Sequence, residues 1–344
     1  MIISKRKKSQ VKGSINTDKI LIIEKELPNI EITHSAATGE YVNKKWYNGN
    51  INVGIKVKDM KSGINTITYK LGNQPENTVY ILSNKPNEKT TEHEIAVVWN
   101  DEEGGINLPI SVTVVDNAGN IVIKNDVKVN IDRKTPAAPK VEMTYIEKLN
   151  GEWTKGDIVY TVNGNADNIR SGISRYEYQV IAENESSTSQ WKELKVQSDT
   201  GTGKLIFSKE GTSKIKFRTV SGSGLAGNPT DIYTARIDKT APAEAKVTID
   251  NIKPEDSKWY LANSKLVKLE ISQENDRSDN STWYSLDGGE WKQATSVTIS
   301  GDHRHTLQVQ TRDVAGNNSA IKTYKINLDK TAPTIKSSDI VFTK

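Results

Sequence analysis

Apolar and polar residues alternate with a period of two along most of the chain. Between residues 29 and 136 the apolar members are Ile30/Ile32, Ile51/Val53/Ile55/Val57, Ile67/Tyr69/Leu71, Ile95/Val97/Trp99, Ile110/Val112/Val114 and Val127/Val129/Ile131. Residues 137–242 repeat the order with Val141/Met143, Ile158/Tyr160/Val162, Tyr176/Tyr178, Leu205/Phe207, Ile215/Phe217 and Tyr233/Ala235/Ile237. Residues 243–333 repeat it again with Val247/Ile249, Val267/Leu269/Ile271, Tyr284/Leu286, Val297/Ile299, Leu307/Val309 and Tyr324/Ile326/Leu328. Side chains two apart share one face of a strand, so each group predicts a strand with one buried face. No stretch of helical period is long enough to predict a helix. Short strands at this density, with turn residues between them, predict antiparallel sandwiches. Within them Tyr284, Leu286, Leu307, Val309, Ile326 and Leu328 are expected to face inward, as are Ile67, Tyr69, Val112, Val114, Val129 and Ile131.

The final strand of each group sits inside a recurring phrase. Asp116–Asn120 reads D-N-A-G-N and leads to V-K-V-N-I-D-R-K-T-P; Gly224–Asn228 reads G-L-A-G-N and leads to Y-T-A-R-I-D-K-T-A-P; Asp313–Asn317 reads D-V-A-G-N and leads to Y-K-I-N-L-D-K-T-A-P. Gly119, Gly227 and Gly316 are expected to supply a reversal that needs positive φ. Proline then stops the ladder, because it has no N–H and forces its predecessor to be extended. The closing prolines Pro28, Pro136, Pro242 and Pro333 leave intervals of 108, 106 and 91 residues. Each is long enough to bury its own core. The predicted organisation is therefore 1–28 as the tail of a preceding repeat or linker, domains at 29–136, 137–242 and 243–333, and 334–344 as the start of a following repeat or a tail. I-E-K-E-L-P at Ile23–Pro28 matches the end of the phrase, so the chain reads as an excerpt of a longer array.

Composition narrows the chemistry. There is no cysteine in 344 residues, which removes disulfides, thiol nucleophiles and Cys-ligated zinc. The chain carries 47 basic and 43 acidic side chains, but seven basic and three acidic ones fall in residues 1–27. The remainder balances, so no nucleic-acid footprint spreads over the predicted domains. Lys5-Arg6-Lys7-Lys8 has no apolar run after it and is not a signal peptide, and no membrane-spanning run occurs. Motifs of enzymes are missing: His93-Glu94 lacks a second histidine at zincin spacing, Ser221-Gly222-Ser223-Gly224 is not a nucleophile elbow, and no glycine-rich phosphate loop precedes a helix. An enzyme is not expected.

The order Trp, strand, Asp…Ser-Gly, aromatic strand, Trp, strand, Asp-x-Ala-Gly-Asn, strand, Asp-Lys-Thr-Ala-Pro resembles the tandem bacterial immunoglobulin-like domains of extracellular and surface proteins such as adhesins. The resemblance covers residues 29–333. It implies an all-β tandem array of three antiparallel immunoglobulin-like Greek-key sandwiches with partial repeats at both ends, an extracellular or cell-surface location, and a place in a longer protein. Two functions are compatible with it. One is a non-catalytic stalk or adhesin segment that spaces or presents a binding region. The other is a module binding a host, matrix or glycan ligand, including a carbohydrate-binding accessory of a secreted hydrolase. Ala182–Thr188 and Thr78–Glu94 depart most from the repeat and are the candidate binding segments.

Three groups of side chains are candidates for chemistry. Trp46, Trp153 and Trp259 recur at one position and Trp191 and Trp291 at another, which favours packing over sugar stacking; only Trp283 lacks a counterpart. His303 and His305 would share one face of a strand, yet two imidazoles leave a zinc site short of ligands, and a polar hairpin tip is the simpler reading. The carboxylates are the third group. In an immunoglobulin-like topology the loop between the second and third strands and the turn between the sixth and seventh emerge where the chain enters. For the last domain this gathers Asp238 of the linker, Glu274, Asp276 and Asp279 of the loop, and Asp313 of the turn. Such carboxylates repel one another unless a hard cation joins them, and Ca2+ takes six to eight oxygens; the resemblance also implies calcium between domains. At the middle domain Gly224 is expected to replace the turn aspartate, leaving Asp132 and Asp167. Before the first domain the linker offers Glu24, with Asp59 and Asp116 beyond it. The competing reading is that these aspartates cap turns by accepting backbone N–H bonds.

Overall fold

The computed structural model describes residues 23–336 other than 82–88, 149–150, 168, 183–188 and 272–276. Lys5–Lys8, Glu274, Asp276, most of the Ala182–Thr188 insert and the middle of Thr78–Glu94 lie outside the described residues. Every regular element within them is a strand.

Alternation does what elementary geometry requires. In Ile51–Lys58 the residues Ile51, Val53, Ile55 and Val57 are all buried, and in Arg304–Asp313 the residues His305, Leu307, Val309 and Thr311 are. The sheets come in pairs along the sequence. In the first interval Asn29–Ala36, Ile51–Lys58 and Glu92–Trp99 form one sheet in that order. The second sheet runs Lys128–Ile131, Gly105–Asp116, Ile64–Leu71, Asn77–Tyr80, with Ile121–Lys124 also paired to Gly105–Asp116. In the third interval Lys246–Ile249, Ser264–Glu270 and Ser296–Ser300 face Lys322–Asp329, Arg304–Asp313, Asn280–Leu286 and Lys292–Gln293. The middle interval has Lys140–Tyr145, Ile158–Asn163 and Gly203–Phe207 in one sheet and Lys192–Lys195, Ile173–Ala182, Gly211–Ser221 and Tyr233–Ile237 in the other. First, second and fifth strands against seventh, sixth and third is the strand order of an immunoglobulin-like sandwich.

By contact density the chain divides into two compact units, one of residues 1–139, 164–177 and 218–229, the other of 140–163, 178–217 and 230–344. In the first, Trp99, Tyr47, Ile51, Ile67, Ile110, Val112, Val114 and Ile131 form a closed core, with Tyr69 partly buried against it. In the second, Leu307, Val309, Ile326 and Leu328 are buried, and Tyr284 and Leu286 pack against them. Tyr160, Phe217 and Tyr233 add an aromatic cluster with ring centroids 5.3–6.1 Å apart. All of the inward-facing positions expected from alternation are thus at least partly buried.

One expectation about the turns needs correction. The reversal in the middle interval is Ser221–Leu225, not Gly224–Asn228. Gly224 has φ 86°, like Gly119 at 88° and Gly316 at 96°, and its N–H donates to Ser221 O as those of Gly119 and Gly316 donate to Asp116 and Asp313. Ser221, not Gly224, therefore holds the place of the turn aspartate. Its Oγ accepts Leu225 N–H at 3.0 Å, where Asp116 Oδ1 accepts Asn120 N–H at 2.7 Å. Gly227 is glycine for a different reason: a Cβ there would stand 2.4 Å from the Pro136 carbonyl oxygen.

Candidate cation site

The two loops predicted to meet do so by the same backbone bond in every interval. Asn117 N–H donates to Gly63 O (2.9 Å), Gly222 to Gly172 O (2.8 Å) and Val314 to Asp279 O (2.9 Å). This register makes Ser62, Ser171 and Ser278 equivalent, each one residue before the accepting carbonyl. In the middle and last intervals it also sets the serine beside the acidic residue of the linker, Asp132 or Asp238, whose counterpart in the first interval is Glu24.

In the middle and last intervals the linker aspartate is closed by the serine. Ser171 Oγ and N–H both donate to Asp132 Oδ2, at 2.6 and 2.8 Å, and Lys134 N–H donates to Oδ1 at 3.1 Å. Ser278 Oγ donates to Asp238 Oδ2 at 2.7 Å, and Thr240 N–H to Oδ1 at 3.1 Å. Asp132 is 1 % exposed and Asp238 fully buried, so these donors replace water for a carboxylate that would otherwise be costly to bury. Sequence reasoning noted the Ser-Gly pair but gave the hydroxyl no partner.

The set Asp238, Asp279 and Asp313 is arranged otherwise than as a carboxylate cluster. Asp313 turns back on its own reversal, with Oδ1 accepting Gly316 and Asn317 N–H at 2.7 Å each and Oδ2 accepting Asn317 Nδ2 at 2.8 Å. The same Asn317 amide donates to Asp238 O at 2.8 Å, so in the last interval the asparagine ties the turn to the linker. Asp279 reaches the turn through its backbone oxygen, and the residue is exposed. Glu274 and Asp276 lie outside the described residues.

The first interval is where carboxylates gather. One oxygen each from Glu24, Asp59 and Asp116 lie within 4.8 Å of one another. Asp59 Oδ1 is held by Gly63 and Lys61 N–H (2.6 and 3.1 Å), and Asp116 by Ala118 N–H, Asn120 N–H and the Asn120 amide. Both Glu24 oxygens are buried and have no hydrogen-bond partner among the described residues, and Ser62 Oγ is in the same state. Lys61 nearby pairs with Glu26 at 2.6 Å instead. Glutamate is one methylene longer than aspartate, and its carboxylate lies with the two aspartates, making no bond to Ser62. Buried anionic oxygens without a donor are what a bound hard cation would complete.

The tryptophans divide by role. Trp46 is 7 % exposed and Trp259 48 %, although they occupy one position of the repeat. The residue that follows is buried in all three, Tyr47, Thr154 and Tyr260, on the short segment that pairs in parallel with the last strand, whereas of the three tryptophans at this position Trp46 alone is buried too. Trp283 and Trp291 both lie against Arg312, whose guanidinium is 4.4 and 5.3 Å from their centroids, and Arg304 covers Trp259 at 5.3 Å. Cation–π contacts thus occupy ring faces that a sugar would stack on.

No family model matches the sequence, and no curated protein matches it. Solved structures do. One, from work on host cell surface retention of a 1.5-MDa bacterial ice-binding adhesin, is 14% identical, with 88% of this chain and 98% of that one covered and a TM-score of 0.35. A Ca2+-stabilized adhesin with which an Antarctic bacterium binds ice is 15% identical, with 87% and 74% covered and a TM-score of 0.36. Fibronectin(III)-like modules of Clostridium thermocellum CbhA are 13% identical, with 55% and 94% covered and a TM-score of 0.27. The fold assignment stands on the strand order described above. Among the described residues no helix is long and apolar enough to cross a membrane.

Proposed function

We propose that this chain is a non-catalytic segment of an extracellular or cell-surface protein, in which three immunoglobulin-like domains at 29–136, 137–242 and 243–333 space or present a binding region. The observation that carries the reading is the closure of two linkers, at Asp132 and Asp238, onto the entrance pole of the sandwich that follows. A buried acidic side chain, a serine hydroxyl and a turn are spent on fixing that joint, which serves a spacer and no reaction. The covered tryptophan faces favour a spacer over a carbohydrate-binding accessory. The ligand presented is a host, matrix or glycan surface.

We propose further that the first joint takes calcium, with Glu24, Asp59 and Asp116 supplying carboxylate oxygens and water or carbonyls the rest. Calcium titrated into the full chain should release or absorb heat and raise the melting midpoint of the first unit. Glu24→Gln should abolish both. Equal heats from parent and variant would refute the calcium joint, and tight binding of the isolated chain to a glycan or matrix array would refute the spacer reading.

A further inference from the structure

A second cluster lies far along the sequence from Glu24 and uses different atoms. His303 immediately precedes the strand Arg304–Asp313 and His305 is its second residue. His305 is 3 % exposed. Its Nδ1 lies 2.8 Å from Asp287 Oδ2, and the other oxygen of Asp287 accepts Thr306 N–H at 2.8 Å. An ionised carboxylate only accepts, so His305 Nδ1 carries the proton and the neutral ring keeps its lone pair on Nε2. That Nε2 is buried and meets no hydrogen-bond partner among the described residues.

The two imidazoles face a common space. A Cβ placed on Gly301, whose φ is 126°, would stand 3.1 Å from His303 Nδ1 and 3.3 Å from His305 Nε2. The ring centroids are 3.9 Å apart and tilted by 42°. One nitrogen each from the two rings and an oxygen of Asp287 fall within 4.8 Å of one another. An imidazole whose far nitrogen is tied to a carboxylate while the near one points, unpartnered, beside a second imidazole has the arrangement of a metal ligand with its orienting partner. A hard cation such as calcium prefers oxygen, whereas imidazole suits the late first-row divalent ions.

We infer that His303 Nδ1 and His305 Nε2 bind one late first-row divalent ion of the zinc class, with Asp287 as the positioning residue and water completing the coordination. The glycine at 301 leaves the ion its room. The test is titration of Zn2+ into the full, untagged chain, beside Co2+, whose visible spectrum reports nitrogen ligation directly. The parent should bind one equivalent at this site. His303→Gln, at an exposed position that leaves the core intact, should remove that equivalent and the cobalt spectrum while the melting midpoint without metal stays unchanged. Asp287→Asn should weaken zinc about 10–100-fold, as loss of an orienting partner does, and excess Ca2+ should not compete. The site is overturned if parent and His303→Gln bind zinc equally, or if the parent shows no bound equivalent.

Discussion

One serine position, met in three chemical settings, gives a controlled test of what fixes the joints. Ser171 Oγ donates to Asp132 and also accepts Ser223 N–H at 3.0 Å. Alanine there strips one donor from a carboxylate that is 1 % exposed and leaves a backbone N–H unpaired. A hydrogen bond to a charged group is worth about 1.5–3 kcal/mol and an unpaired buried donor about 1–3. Because Ser171 N–H still holds the carboxylate, Ser171→Ala should cost about 2–4 kcal/mol. Among the described residues Ser278 Oγ bonds only Asp238, so Ser278→Ala should cost about 1.5–3 kcal/mol. Ser62 Oγ is buried and makes no bond, so Ser62→Ala without added calcium should cost less than about 0.5 kcal/mol or stabilise the first joint. A chain of several sandwiches has no single unfolding free energy, so the assay is native-state hydrogen exchange read at the amides of each joint. At about 1.4 kcal/mol per tenfold, Ser171→Ala should speed local exchange on the order of a hundredfold. If Ser62→Ala is as costly as Ser171→Ala, or if Ser171→Ala changes nothing, the serine closure is not what holds the linkers.

Two further outcomes are expected. Val309→Ala removes two methyl groups from a site 2 % exposed, at ~0.8 kcal/mol each plus a cavity term, and should lower stability by about 2–3 kcal/mol in denaturant melts; an unchanged midpoint would put Val309 on the wrong face. Glu177 is 9 % exposed and pairs with Arg175 and Arg218 at 2.7 and 2.6 Å. Burial pushes its carboxyl up, but the two guanidinium groups outweigh it and hold it below its ordinary 4.5. A lowered folded value means a contribution present above the unfolded pKa and lost as pH falls through the folded one. The stability gap between parent and Glu177→Gln should therefore be about 1–3 kcal/mol near neutrality, discounted for arginines that are a quarter or more exposed, and should close on acidification below pH ~4.5; a gap independent of pH would refute it.

Much of the fold was legible because a strand with one buried face leaves a period-two record that no neighbour can disguise. Ile51/Val53/Ile55/Val57 is such a record, and so is Leu307/Val309. The meeting of the two loops at the entrance pole was legible as well, since it follows from strand direction alone. The middle turn was not. Gly224 and Gly227 each offer a reversal three residues apart in Ser221–Asn228, and the Ala-Gly-Asn spelling pointed to the second. What decides between them is pairing with the neighbouring strand, seen in the bridge from Val220 to Ala226 that matches Arg312 to Asn318. The burial of the tryptophans was also illegible, because Trp46, Trp153 and Trp259 mark one position yet only Trp46 is buried there, while the side chain after each is buried in all three. Asp287 could not be attached to His305 from sequence, as the two are 18 positions apart.

The three joints show why a repeat can keep its backbone and change its chemistry. Glu24, Asp132 and Asp238 end the same phrase, and Ser62, Ser171 and Ser278 stand at the same place against them. With aspartate the carboxylate is short enough to be closed by the hydroxyl, so the joint is completed by neutral donors and needs nothing from solution. The middle joint goes further: Ser221 takes the place of the turn aspartate and removes one negative charge from the pole. With glutamate the carboxylate lies between Asp59 and Asp116, the hydroxyl is left unused, and three negative groups meet. On the calcium reading proposed above, one methylene separates a joint that is sealed on folding from one completed by a cation. The corresponding exchange is Glu24→Asp, which should let Ser62 donate to the shortened side chain. Calcium should then shift the melting midpoint of the variant less than that of the parent, and exchange at the Ser62 amide should slow in calcium-free buffer. A variant that responds to calcium as strongly as the parent would show that side-chain length is not what distinguishes the joints.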